Sequence, residues 1–206
     1  ASQIFPLITR FVWGSIDLRW LPEACLSHPN YRGFYTVREF IERDPMPGSG
    51  VLGIKAWRRA KLDGRAMTGT TPLELADQLA AQARVVRESL PALRRQAGFH
   101  AELTATLDDL EMFAQLGDYY ATKVRAACDL ALFDATADEG LRRSAVQHLE
   151  TALIQWQAYA ETYAARYQQR VLYNRVGWVD RTALIENVRA DIELACQWKP
   201  GSQPGD

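Results

Sequence analysis

The sequence predicts a mainly α-helical protein: an antiparallel up-down helical bundle that follows an irregular N-terminal segment with one short strand. Two observations support this class. Apolar residues recur at alternating steps of three and four through the second half of the chain, which is the spacing of one buried helix face. Short connections join these stretches, and long helices joined in this way pack as antiparallel neighbours. We therefore place the N-terminal segment at 1–70, the bundle at 71–198 and a Pro/Gly/Ser tail, expected to be disordered, at 199–206.

The N-terminal segment is expected to combine short elements with loops. Residues 4–13 are rich in β-branched and aromatic side chains, so we predict a strand there, with Pro6 at a sheet edge or at the strand entry. Short helices are predicted at 36–42 and 54–61. Between them, residues 44–50 contain two prolines and two glycines. Such a stretch continues neither a helix nor a central strand, so it is predicted to be a loop.

The first long helix of the bundle has a clear start signal. Thr71 supplies a hydroxyl N-cap, Pro72 occupies the first helical position, and Glu74 can reach back to the cap amide. Pro91 predicts a kink, or a break near Ser89, because proline removes a helical hydrogen bond. The apolar stripe of this helix consists of Ala76, Leu79, Ala83, Val86, Leu90 and Leu93.

Three further helices are predicted at 101–136, 138–170 and 180–198. Asp138 is the expected N-cap of the second of these. The first has small side chains at its centre, which would let a neighbouring backbone approach closely: Ala114, Gly117 and Ala121. Large rings on the second could fill the space that these small residues leave open, as close packing requires: Trp156, Tyr163 and Tyr167.

The composition excludes several classes of protein. The chain of 206 residues has 24 Lys and Arg against 25 Asp and Glu, so we expect neither nucleic acid nor an anionic membrane as a partner. No apolar run approaches the ~20 residues that a membrane span needs. The chain begins with Ala and lacks a signal-peptide pattern. We expect a mature form or, as the preferred interpretation, a fragment of a longer protein.

No cofactor and no metal are predicted. Cys25, Cys128 and Cys196 are far apart and lack C-x-x-C spacing, so we interpret them as small buried thiols. His100 and His148 each have alanine three residues earlier, so the Glu-x-x-His pairs of a di-iron bundle are missing. We expect both histidines on polar faces or at boundaries. The aromatic residues of the bundle are interpreted as core and helix-boundary residues: Tyr119, Tyr120, Trp156, Tyr159 and Tyr163.

One stretch of the N-terminal segment has the residue types of a carbohydrate site. Such sites combine flat aromatic rings, which cover apolar C–H faces, with acceptors for sugar hydroxyls. Asp17 and Glu23 could flank a glycosidic bond as general acid and as base or nucleophile. Alternatively, Arg10, Arg19 and Arg32 pair with these carboxylates while the indoles cover the end of the bundle. The candidate substrate-binding residues are Trp13, Asp17, Trp20, Glu23, His28 and Tyr31.

Two stretches of the sequence carry a resemblance to known proteins. One is W-G-x-I-D-L-x-W-x-P-E-A from Trp13, continuing to His28-Pro29 and the loop 46–50. The other is Y-Y-A-x-K-V-R from Tyr119, followed by A-L-F at 131–133 and A-x-x-H-L-E-x-A from residue 145. Together they resemble the C-terminal helical region of large, multidomain bacterial proteins associated with glycoside hydrolases. The resemblance implies that a catalytic-type barrel precedes the helices, and that residues 1 to about 60 trail from this barrel or pack against it. It also implies a periplasmic or extracellular location.

These observations favour an accessory helical domain of a bacterial polysaccharide-degrading protein. Such a domain would support a catalytic barrel and contact glycan through its N-terminal cluster. The alternative is a helical protein–protein interaction or dimerisation module without ligand, acting through the apolar stripes. A third hypothesis is a self-contained glycosidase that uses Asp17 and Glu23. Because a lone strand with loops cannot surround a sugar, we expect the isolated chain not to be an enzyme. The expected partners are glycan, other domains of a longer chain, or a second copy.

Overall fold

The computed structural model describes residues 1–11, 34–168, 171–173 and 177–202. This part of the chain is mainly helical, as predicted. Two short strands, β1 (Val171–Tyr173) and β2 (Gly177–Val179), pair antiparallel. The helices are α1 (Ile4–Phe11), α2 (Val37–Glu42), α3 (Ile54–Leu62), α4 (Pro72–Ala97), α5 (Ala101–Thr136), α6 (Glu139–Arg166) and α7 (Leu184–Cys196).

Helix α5 is the central element of the bundle. It contacts α1, α2, α3, α4 and α6, and α6 in turn contacts α7. Residues 119–124 are all buried, so this part of α5 is enclosed on every side. A helix that meets partners all around cannot be divided into one apolar stripe and one polar face. The three- and four-residue spacing of apolar residues predicts one buried helix face, and that face is therefore only part of the buried surface of α5.

The predicted strand at 4–13 is wrong over the residues that the structure describes, because α1 occupies this stretch. Ile4, Ile8 and Phe11 are buried at the four- and three-residue spacing of a helix face. Their burial against α4 and α5 outweighs the β-propensity of the individual residues. Pro6 lies in the first turn, where the missing amide hydrogen costs no intrahelical bond.

The predicted starts of α4 and α6 are confirmed. The Thr71 hydroxyl accepts from the Glu74 amide at 3.2 Å, and the Glu74 carboxylate accepts from the Thr71 amide at 2.8 Å. This reciprocal arrangement is a complete capping box. The side chain of Asp138 caps α6. A second capping box, formed by Thr36 and Glu39, begins α2 where a short helix was expected.

Helix α4 passes Pro91 without the break that was predicted near Ser89. Contacts with α5 hold the helix on both sides of the proline. Leu90 is buried, and Arg94 forms an ion pair with Asp108 of α5, with 2.7 Å between Nη1 and Oδ1. Tertiary contacts thus compensate for the hydrogen bond that the proline removes.

The later helices are shorter than predicted. Helix α6 ends at Arg166 rather than at residue 170, and the β1–β2 hairpin follows it. Helix α7 starts at Leu184 rather than at residue 180. The Asp180 carboxylate accepts from the amides of Thr182 and Ala183, each at 3.0 Å, so the chain forms a side-chain-stabilised turn before the helix.

The small residues at the centre of α5 make room for α1 and α4. A Cβ atom on Gly117 would lie 3.2 Å from Cδ1 of Ile4 and 3.4 Å from Cβ of Ala83. The prediction that the rings of α6 fill this space is wrong at Gly117. Trp156 of α6 instead packs edge-on against Tyr119, with 4.9 Å between ring centroids.

Gly64 and Gly69 provide a matched test of a close backbone contact. Both have positive φ, +66° and +93°, but a Cβ on Gly69 would lie 2.3 Å from the carbonyl oxygen of Gly50, whereas nothing lies within 4 Å at Gly64. We expect Gly64→Ala to cost about 1–2 kcal/mol of unfolding free energy through its backbone conformation. Gly69→Ala should cost about 1–3 kcal/mol more, because the added atom must displace backbone. Urea unfolding followed by circular dichroism measures both, and equal losses would contradict the contact.

Candidate functional site

The six candidate carbohydrate-contact residues lie outside the described residues: Trp13, Asp17, Trp20, Glu23, His28 and Tyr31. They all belong to the stretch between Phe11 and Phe34, which we call the 12–33 segment. The structure does describe the residues on either side of this segment. The candidate site can therefore be built from the place where both ends of the segment meet the bundle.

Both ends of the 12–33 segment are held by one aromatic layer. Phe11 is buried at the end of α1, and its ring lies 6.0 Å from that of Phe40 in α2. Phe40 stacks on Tyr120 of α5 with 6.2 Å between centroids. On the other side of the segment, Phe34 and Tyr35 are buried against the same rings. The residues that flank the segment on both sides thus pack into the same part of the bundle.

A buried ion pair lies next to this layer. Lys123 of α5 and Asp191 of α7 each have side chains that are 1% exposed, and Nζ lies 2.7 Å from Oδ2. Nζ also donates to the backbone carbonyl of Tyr35 at 2.6 Å and to the phenol oxygen of Tyr119 at 3.2 Å. Oδ1 of Asp191 accepts from the amide of Val37 at 2.8 Å. We call these five residues the Lys123 centre. The centre connects α5, α7 and the start of α2.

Aromatic rings surround the ammonium group of Lys123 on its other sides. Nζ lies 4.1, 4.9 and 5.6 Å from the ring centroids of Phe34, Phe40 and Tyr119, distances at which ring faces attract a cation. The cavity among these and neighbouring rings measures about 10 Å³, which is room for no more than one water molecule. The centre is therefore an anchor between helices and has no space for a sugar.

Burial and the surrounding contacts act in opposite directions on the pKa of Asp191. Complete burial raises the pKa of the Asp191 carboxyl above its ordinary value, whereas the Lys123 ammonium and the Val37 amide act in the opposite direction. Taking two charges out of water costs several kcal/mol per ion, which only good geometry and further hydrogen bonds can offset. The contacts of the Lys123 centre provide both. Removal of either partner would leave the other charged group buried and uncompensated.

From Tyr120 a row of aromatic rings continues along α5 and α6. Consecutive centroids are 4.9 to 6.4 Å apart, within the range of favourable ring pairs. The buried Arg181 supports the row, since its Nε donates to the Tyr159 hydroxyl at 2.7 Å and its carbonyl accepts from the Trp156 indole at 3.0 Å. The interpretation as core aromatics is confirmed, with five rings at most 9% exposed: Tyr119, Tyr120, Trp156, Tyr159 and Tyr163.

A second buried carboxylate attaches the C-terminal residues to the bundle. Oδ2 of Asp134 lies 3.5 Å from Nη1 of Arg58 in α3. Oδ1 accepts from the indole of Trp198 at 2.9 Å and from the amide of Ser202 at 3.0 Å. The first residues of the tail that was expected to be disordered therefore contact α5, and residues 203–206 lie outside the described residues.

The thiols occupy different environments. Cys128 is buried, and that burial raises the pKa of its thiol well above the ordinary value. Cys196 is exposed, so its predicted burial is wrong: α7 buries the preceding residue, Ala195, at its end. Cys25 lies in the 12–33 segment. Among the histidines, His148 is half-exposed, with Nε2 3.7 Å from Oδ2 of Asp129, as expected for a boundary residue.

The described residues lack the features of a metal site and of a membrane span. No group of three or more His, Cys, Asp or Glu side chains in this part of the chain could hold a metal ion. No helix in it is long and apolar enough to cross a membrane.

Two open grooves of about 420 Å³ each lie on the surface. One, beside Cys196, lies between α6 and α7. The other lies between α4 and α5 and is lined by three arginines: Arg84, Arg87 and Arg125. Unlike the cavity at the Lys123 centre, both grooves have the size of small-molecule sites.

No protein-family model, no curated protein and no solved structure matches this chain. The resemblance to helical regions of glycoside-hydrolase-associated proteins therefore stays a prediction. What the protein does is inferred from its residues and contacts.

The positions of Lys123 and Asp191 in the sequence indicate that both side chains are buried, although this was not predicted. Asp191 lies three residues after Val188 and four before Ala195, on the apolar face of its helix. Lys123 lies four residues after Tyr119, again on a buried face. An ionisable residue at such a position is seldom buried unless it is paired. The spacing identifies each residue as a candidate for burial, but it does not identify the partner.

Lys123→Met tests the anchor, because it removes the ammonium group while keeping most of the side-chain length. We expect a loss of about 3–5 kcal/mol of unfolding free energy, since the partner carboxyl stays buried without its cation. The double variant Lys123→Met/Asp191→Asn should recover part of this loss. Urea unfolding measures both variants.

The control for this test is an exposed ion pair. Arg65 and Asp63 are paired at 2.8 Å with side chains 69% and 39% exposed, so Arg65→Met should cost at most ~1 kcal/mol. A loss in Lys123→Met no larger than in Arg65→Met would contradict the anchoring role.

Proposed function

We propose that this chain is an accessory helical domain of a bacterial polysaccharide-degrading protein. In this proposal the bundle supports the 12–33 segment, and a catalytic barrel of the same protein supplies the reaction centre. The chain itself is not the catalyst. Glycan contact is made through the aromatic and acidic residues of the segment: Trp13, Asp17, Trp20, Glu23, His28 and Tyr31.

The observation that carries the proposal is that the residues on both sides of the segment contact one buried aromatic layer. Phe11 contacts Phe40 on one side, and the Tyr35 carbonyl accepts from the buried Lys123 on the other. Residues that bind ligands are commonly presented by segments whose ends a rigid scaffold holds. Fixed ends also reduce the conformational entropy that is lost when a ligand binds.

The buried polar groups of the bundle favour a supporting role for the helices themselves. Lys123, Asp134 and Asp191 each connect separate elements of the fold. A buried charged group that forms contacts between helices has a structural role and is not accessible to a substrate. The residue types suited to sugar recognition are concentrated in the 12–33 segment.

Glycan-array binding of the chain tests the proposal. We expect Trp13→Ala and Trp20→Ala each to weaken binding about tenfold or more, because a stacked indole supplies much of the contact area with a sugar face. Phe99→Ala is the matched control, since Phe99 is a fully exposed ring between α4 and α5 and should not contribute. Unfolding curves check that each variant folds.

Two outcomes would contradict glycan contact by the segment. One is the absence of binding both by this chain and by a longer protein that contains it. The other is binding that both tryptophan variants retain at the strength of the Phe99 control.

A second candidate function is a helical interaction or dimerisation module. Large apolar side chains are exposed where α4 ends and α5 begins: Leu93 is 39%, Phe99 108% and Leu103 52% exposed. Such a concentration at one end of a bundle favours association with another protein surface. Light scattering across a concentration series should then show a dimer that Phe99→Ser weakens. A monomer at every concentration would contradict self-association.

A further inference from the structure

The groove between α4 and α5 has an unusual arrangement of charges. The small side chains of Ala80 and Ala81 on α4 line the groove and leave space between the larger side chains around them. Its rims carry three guanidinium groups and two carboxylates. The groove is therefore an open concavity in which cations outnumber anions.

Two ion pairs cross the groove in opposite directions. Arg87 of α4 pairs with Asp118 of α5, while Arg125 of α5 pairs with Asp77 of α4, with 2.8 Å between Nη2 and Oδ1. Each pair holds a guanidinium group across the boundary between the helices. The carboxylates are partly or largely exposed, 20% for Asp118 and 73% for Asp77.

Arg84 supplies the third guanidinium group. It is exposed and lies one turn before Arg87, so the two side chains share a face of α4. Among the residues that the structure describes, no carboxylate forms an ion pair with Arg84. The groove therefore contains one positive charge that its own residues do not balance.

We infer that this groove binds a small oxyanion, the carboxylate, sulfate or phosphate group of a small molecule. A guanidinium group is planar and has five N–H donors, more than one carboxylate can use. Arg87 and Arg125 are held in place by their ion pairs, and their side chains are still 46% and 29% exposed. Arg84 provides the unbalanced charge, and the anion adds to the existing pairs without displacing them.

The size of the groove agrees with this assignment. A volume of about 420 Å³ is in the range of small-molecule sites. The inference is independent of glycan contact by the 12–33 segment, because it is argued only from described residues of α4 and α5.

Titration of the folded chain with sodium sulfate, phosphate or acetate, at constant ionic strength in chloride, tests the site. Arginine side-chain Nε–Hε signals report on each guanidinium group by NMR. We expect saturable shifts at Arg84, Arg87 and Arg125 together. Comparison of the three anions distinguishes a preference for tetrahedral groups from one for planar carboxylate.

Arg84→Ala should weaken binding about tenfold or more, because it removes charge-assisted hydrogen bonds while leaving both ion pairs intact. Arg84→Lys keeps the charge and loses the planar donors, so an intermediate affinity is expected. Arg95→Ala, on the same helix but outside the groove, is the control and should bind as the unmodified chain does. Shifts that rise linearly without saturation, or equal binding in Arg84→Ala and Arg95→Ala, would overturn the site.

Discussion

The buried ion pair between Lys123 and Asp191 is the constraint on which the arrangement of the fold depends. Two charges that are 1% exposed can remain in the interior only if nearly every hydrogen-bonding group around them is satisfied. That requirement brings Asp191 of α7 to Lys123 of α5, the Val37 amide to Asp191 and the Tyr35 carbonyl to Lys123. Apolar packing alone would permit one helix to shift slightly along another. The ion pair selects one position, since any other leaves a charge uncompensated.

The same centre links the fold to its proposed role. The chain on either side of the 12–33 segment reaches the aromatic layer next to Lys123, which includes Phe40 of α2 and Tyr120 of α5. The cavity there is only about 10 Å³, so the centre itself offers no binding pocket. The proposed binding chemistry therefore rests on the residue types of the 12–33 segment and, independently, on the arginine-lined groove between α4 and α5. Functional residues are commonly carried by segments that a folded scaffold supports.

Local signals in the sequence were reliable where the chemistry is local. The capping residues Thr71 and Asp138 start α4 and α6 as predicted, because a side chain and an amide three or fewer residues apart satisfy each other without outside help. The prediction failed at α1. β-Branched residues there favour a strand in isolation, but burial of Ile4 and Ile8 against α4 and α5 decides for a helix. Pro91 is a parallel case, in which contacts with α5 keep the helix continuous.

The sequence by itself determined the helical class, the order of the long helices and the starts of the helices that have capping residues. These features follow from residue spacing and short-range hydrogen bonds. It also marked the residues of the candidate carbohydrate site by type, although they lie outside the described part of the chain. Only the tertiary structure decided that Lys123 pairs with Asp191, that α1 and α4 pack against Gly117, and that three arginines border one groove. Each of these contacts joins residues on different helices, and spacing along the chain carries no information about which buried or charged groups meet across it.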